Sequence, residues 1–189
     1  MRIVGGTLSG RKIAPPLSLV TRPMMDRIRQ ALFNILAHHD WGQERGDLLK
    51  NTHVLDAFCG TGALAFEALS WGADHATLFD RDSQALQIAR KNASDLHLQE
   101  RCTIQGCDTL LPPKAPHSCQ LVFLAPPYRK NLIPPAMIAL QKAGWFHRHC
   151  LLLAETAKKE DLPLPDGYTL LFSRFYGDTG LHFIEHAPS

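Results

Sequence analysis

From residue 52 onward, apolar residues fall in short continuous runs separated by stretches of helical spacing. Thr52–Ala57, His75–Asp80, Cys102–Gly106, Cys119–Leu124 and His149–Glu155 have the length and content of buried strands. Gly62–Trp71, Ser83–Leu96 and Pro135–Lys142 repeat apolar side chains at helical intervals. Strands alternating with helices predict a parallel sheet covered by helices on both faces. The alternation stops at the end, where Tyr168–Phe175 and Gly180–His186 are both strand-like and meet at a turn around Gly177 and Asp178. That pattern predicts an antiparallel hairpin at one sheet edge. Upstream, TRPMMDRIRQALFNIL places Met25, Ile28, Leu32, Ile35 and Leu36 on one helical face, with Pro23 suited to the first turn. Before it, Arg2–Val4 and Lys12–Ala14 are separated by Gly5, Gly6 and Gly10, as in a small hairpin or an irregular arm.

Length changes little in this picture. A chain of 189 residues suits one domain over 1–189, with a basic arm and helix in 1–40 and an α/β core in 51–189. No apolar run reaches the length of a membrane span, and MRIVGGTLSGRK lacks the apolar centre of a signal peptide, so a cytoplasmic protein is expected. Cys59, Cys102, Cys107, Cys119 and Cys150 are irregularly spaced, and Cys102, Cys119 and Cys150 sit at or near the starts of apolar runs, where a thiol acts as a small hydrophobe. No metal site is expected: the histidines are scattered, and His147 and His149 have no ligand set beside them. Trp41, Trp71 and Trp145 read as packing residues of helix faces.

Net charge is +2, but residues 1–30 hold Arg2, Arg11, Lys12, Arg22, Arg27 and Arg29 against Asp26 alone. This asymmetry suits a surface facing a polyanion, and a solvated charged segment is the other reading.

The candidate chemistry begins at VLDAFCGTGALAFEAL, an apolar strand running through a glycine turn into a helix. Gly60 and Gly62 let the backbone turn tightly and approach a ligand. Asp80 ends the next strand, where an open α/β sheet sets a carboxylate against ribose hydroxyls, while Asp82 suits the cap of the following helix. The same glycine spacing fits a dinucleotide such as NAD. Asp56, at the strand end before the turn, favours S-adenosylmethionine (SAM) instead, because a carboxylate there suits a ligand ammonium and opposes a pyrophosphate. Asp108, after the third strand, is placed either to accept from an adenine amine or to cap a helix over TLLP.

The stretches RIVGGTLSGRKI, TRPMMDRIRQALFNIL, VLDAFCGTGALAFEALSWGA, LVFLAPPY and, more loosely, LLLAETAKKE resemble the 16S rRNA (guanine-966 N2) methyltransferase family, over the whole chain. The resemblance implies a Rossmann-like class I SAM methyltransferase with about seven strands, the last antiparallel. It implies SAM as donor and a guanine N2 of 16S rRNA as acceptor, with the rRNA held in a small-subunit assembly intermediate and the enzyme monomeric. By the same likeness Asp56, Phe58, Gly60, Gly62, Asp80, Arg81 and Asp108 line SAM. Pro126, Pro127 and Tyr128 meet the base, and Arg2, Arg11, Lys12, Arg22 and Arg29 face RNA phosphates. The family motif is [DN]-P-P-[YF], in which the acid or amide orients an amine whose lone pair is delocalised into the ring. Here that position is Ala125. Loss of one charged hydrogen bond costs ~1.5–3 kcal/mol, a roughly 10- to 150-fold slower step. Two further readings follow: a SAM-binding RNA-binding module without chemistry, and a SAM-dependent enzyme for another amine, such as DNA adenine or a protein glutamine.

Overall fold

The structure, a computed structural model, describes residues 1–16, 24–43 and 45–186. Its centre is a seven-stranded sheet of β1 (His53–Asp56), β2 (His75–Asp80), β3 (Cys102–Gly106), β4 (Cys119–Leu124), β5 (Phe146–Ala157), β6 (Tyr168–Tyr176) and β7 (Thr179–His186). The spatial order is β3-β2-β1-β4-β5-β7-β6. β1 to β5 run parallel, and β7 is antiparallel to both β5 and β6. The chain order reverses between β1 and β4, which opens a crevice at their carboxyl ends, where such sheets bind ligands.

Among the described residues four α-helices cover the sheet: α1 (Asp26–His38), α2 (Ala63–Trp71), α3 (Ser83–Leu96) and α4 (Ile133–Lys142). The period of two in the strands decides which helix each side chain meets. Val54, Leu121, Phe123, Leu151 and Leu153 join α1, α2 and α3 in one apolar cluster. Their neighbours Leu55, Val122, Leu124, Leu152 and Ala154 join α4 in the other. Truncating the fully buried Phe123 to alanine costs about 3–5 kcal/mol on this packing.

The expected elements recur with shifted ends. β5 starts earlier than expected because His147, Arg148 and His149 disguise its exposed beginning as a polar stretch. Asp82 caps α3 by accepting from the Gln84 N–H at 2.9 Å. Pro23 lies outside the described residues. Trp41 and Trp145 are buried beside helices rather than on them, and Trp71 closes α2 and stacks on Phe33.

The amino-terminal arm is a small hairpin with one bridge, Arg2 to Lys12, and it buries Ile3 and Ile13. It docks onto α2 and α3 through polar bonds. The Val4 N–H donates to Glu67 at 2.7 Å, Leu8 N–H to Ser70 Oγ at 2.9 Å, and Ala14 N–H to Asn92 Oδ1 at 2.7 Å.

Candidate active site

Asp56 ends β1 at the crevice and is buried. One carboxylate oxygen accepts from the Ala65 N–H at 3.3 Å, and Oδ1 has no hydrogen-bond partner among the described residues. Burial pushes its pKa up to about 7, the charges of Asp80 and Glu155 push the same way, and the Ala65 and Phe58 backbone amides pull it back. A buried carboxylate in this state is costly to ionise unless a cation stands beside it.

The glycine turn follows. Gly60 and Gly62 have φ of 51° and 83°, in the left-handed region that favours glycine. A Cβ at Gly60 would meet nothing within 4 Å among the described residues, which leaves room for a ligand against the turn. Asp80 holds this turn, since Oδ2 accepts from the Gly60 N–H at 2.8 Å and Oδ1 from the Asp82 N–H at 2.9 Å. Each carboxylate oxygen keeps a further lone pair for a ligand hydroxyl. Arg81 beside it is exposed, and Phe58 packs partly buried beneath the crevice. Asp108 is exposed and accepts from the Leu110 N–H at 3.0 Å. It begins a turn rather than the helix considered for TLLP, because the two prolines at 112 and 113 stop the chain from winding further.

Across the crevice, β4 leads into Ala125, Pro126, Pro127 and Tyr128. A cleft there is lined by Pro126, Pro127, Tyr128, Glu155, Glu160 and Leu162 among others. The Tyr128 hydroxyl donates to Glu155 Oε1 at 2.5 Å and lies 3.2 Å from Thr179 Oγ1. Glu155, near the carboxyl end of β5, is 7% exposed, and burial raises its pKa against the pull of the Tyr128 hydroxyl. Glu160 ties the two loops together by accepting from the Arg129 N–H at 2.7 Å and the Ala157 N–H at 2.9 Å. Neither glutamate stands out in the sequence by motif. The signal for Glu155 was an acid closing an apolar run, as Asp56 and Asp80 do.

The basic residues divide. Arg2, Arg11 and Lys12 are exposed on the arm. Arg29 is not: its side chain is fully buried, which corrects the expectation that it faces phosphates. Its guanidinium bonds Glu67 Oε1 at 2.8 Å, Asp26 Oδ1 at 3.0 Å, and the carbonyls of Arg2 and Met24. It clamps α1, α2 and the arm together. Arg22 lies outside the described residues. A second basic group, missed in the sequence, flanks Tyr128: Arg129, Lys130, Lys158 and Lys159 are exposed, and none forms an ion pair among the described residues.

The family described as "Conserved hypothetical protein 95" matches residues 1–185. Ribosomal RNA small subunit methyltransferase D of Escherichia coli (strain K12) is 34% identical over 90% of this chain and 82% of its own length. The protein of the same name from Haemophilus influenzae is 31% identical over 94% of this chain and 89% of its own. The solved structure of yhhF from Escherichia coli superposes with a TM-score of 0.83 at 30% identity, covering 100% of this chain and 99% of that one. The chain therefore belongs to the ribosomal RNA small subunit methyltransferase D family of enzymes.

Proposed function

We propose that the protein transfers the methyl group of SAM to the exocyclic N2 of a guanine in bacterial 16S rRNA. Asp56 carries the reading: its buried, unpartnered oxygen calls for a cation, and the methionine ammonium of SAM is one. Gly60 leaves room beside it, Asp80 has lone pairs left for ribose hydroxyls, and Asp108 is exposed at the adenine end. Phe58 and Arg81 flank the same crevice. When bound, SAM supplies a methyl carbon activated by its sulfonium, so no metal or redox partner is required.

On the other side Pro126 and Pro127 fix the loop, and Tyr128 offers a ring face to a planar base. Arg2, Arg11 and Lys12 on the arm, with Arg129, Lys130 and Lys158 beside the cleft, provide cations for phosphates. The substrate is rRNA within a small-subunit assembly intermediate, and the enzyme acts as a monomer in the cytoplasm. No helix among the described residues is long and apolar enough to cross a membrane.

Ala125 favours a second reading, a SAM-binding RNA-binding module without chemistry. Mass spectrometry of 16S rRNA from cells lacking the gene separates the two. Loss of one N2-methylguanosine, restored by a plasmid copy, is expected; unchanged rRNA supports the binding module.

A further inference from the structure

The alanine at 125 leaves the amine of the base without the side-chain acceptor that its motif provides. Glu155 stands at the matching place on the next strand. Leu124 pairs with Ala154, so Ala125 and Glu155 follow at the same level of neighbouring strands. Glu155 lines the cleft together with Pro126, Pro127 and Tyr128. Tyr128 donates to Oε1, which fixes the carboxylate and leaves Oε2 as an acceptor. No ion pair holds Glu155 among the described residues, although it is 7% exposed. A buried acid without a cation is costly, and such groups concentrate where chemistry uses them.

We infer that Glu155 is a catalytic residue: its carboxylate accepts from the guanine N2 amine and thereby replaces the acid absent at position 125. This rests on the guanine-N2 reading above. In the step, the N2 lone pair forms the bond to the methyl carbon while the carbon–sulfur bond breaks and leaves its electron pair on sulfur. The nitrogen's surplus proton passes to Glu155 and then to water. The carboxylate gains most as positive charge develops on nitrogen, so the effect belongs to the chemical step.

Single-turnover methyl transfer to under-modified 30S subunits tests the inference in the full chain, with SAM affinity from calorimetry and melting temperature recorded for each variant. Glu155→Gln is expected to slow transfer about 10- to 150-fold, the worth of one charged hydrogen bond, with SAM affinity within about twofold. Ala125→Asp is expected to restore most of the rate in the Glu155→Gln background. Tyr128→Phe is expected to lose less than Glu155→Gln, because the ring and the carboxylate remain while only the bond that fixes Oε1 is removed. If Glu155→Gln does not fold, Glu155→Asp, which withdraws the carboxylate by one methylene, takes its place and is expected to lose part of the rate.

An unchanged rate in Glu155→Gln overturns the inference. So does a loss in Tyr128→Phe equal to that in Glu155→Gln without rescue by Ala125→Asp, since Glu155 then only holds the ring. A parent chain that binds SAM but transfers nothing overturns the inference and leaves the cofactor reading standing. A parent that binds no SAM overturns the cofactor reading, and the inference falls with it.

Discussion

Replacing Asp56 by asparagine removes a carboxyl that is buried, half-satisfied and surrounded by other acids. Its pKa of about 7 against an ordinary 3.8 corresponds to about 4 kcal/mol. The sign follows from the raised value. Between the two pKa values the folded protein holds a proton that the unfolded chain has released, so stability falls as pH rises. Below the unfolded value the cost is absent, and above about pH 7 it is complete. Asparagine carries no such cost. Without SAM, the Asp56→Asn variant should therefore melt with the parent near pH 4 and outlast it at pH 8. For a domain of this size about 4 kcal/mol corresponds to roughly 8–16 °C.

SAM is expected to reverse the comparison, because in the proposed site its ammonium pairs with the ionised carboxylate. Parent affinity should rise about fivefold from pH 6 to pH 7, as the ionised fraction of a group titrating near 7 grows. The variant should bind about 10- to 150-fold more weakly and lose that pH dependence. Scanning calorimetry across pH 4–8, with and without SAM, measures both effects. Using the difference between variant and parent cancels His75, His117, His182 and His186, whose lowered pKa values act in the opposite direction. A difference in melting temperature that stays flat with pH would refute the electrostatic account of Asp56.

Asp80→Ala should weaken SAM binding by ~1.5–3 kcal/mol in titration calorimetry, since it removes the proposed ribose acceptor and loosens the Gly60 turn. Arg29→Ala should destabilise the fold by about 3–5 kcal/mol, seen in denaturant unfolding, because it leaves Glu67 buried without its cation. Arg11→Glu combined with Lys12→Glu should weaken rRNA binding and lower the log–log salt slope by about 0.7–0.9 per lost phosphate contact, with SAM affinity unchanged. An unaltered slope would make the arm a solvated surface.

The sheet and the acids that close its strands were legible because their signals are local. Asp56 closes an apolar run and precedes a glycine turn, and Asp80 closes the next run; both positions follow from chain order alone. Tyr128 and Glu155 are 27 residues apart and meet only because β4 and β5 are neighbours. Arg29 was misread for a similar reason, since its partner Glu67 is 38 residues later on α2. The clue was available: a lone glutamate in the apolar helix ALAFEALSW requires a buried cation. The histidines, scattered in sequence, also converge. Register pairs His53 with His75, and the rings of His53 and His117 lie 4.2 Å apart at the far end of the sheet.

The central claim, methyl transfer to guanine N2, is tested most directly by incubating the purified protein with isotopically labelled SAM and under-modified 30S subunits. The rRNA is then digested to nucleosides for mass spectrometry. The label is expected in N2-methylguanosine alone, at one site. Label in a methylated adenosine or cytidine, or no label in RNA while SAM binds, would contradict it.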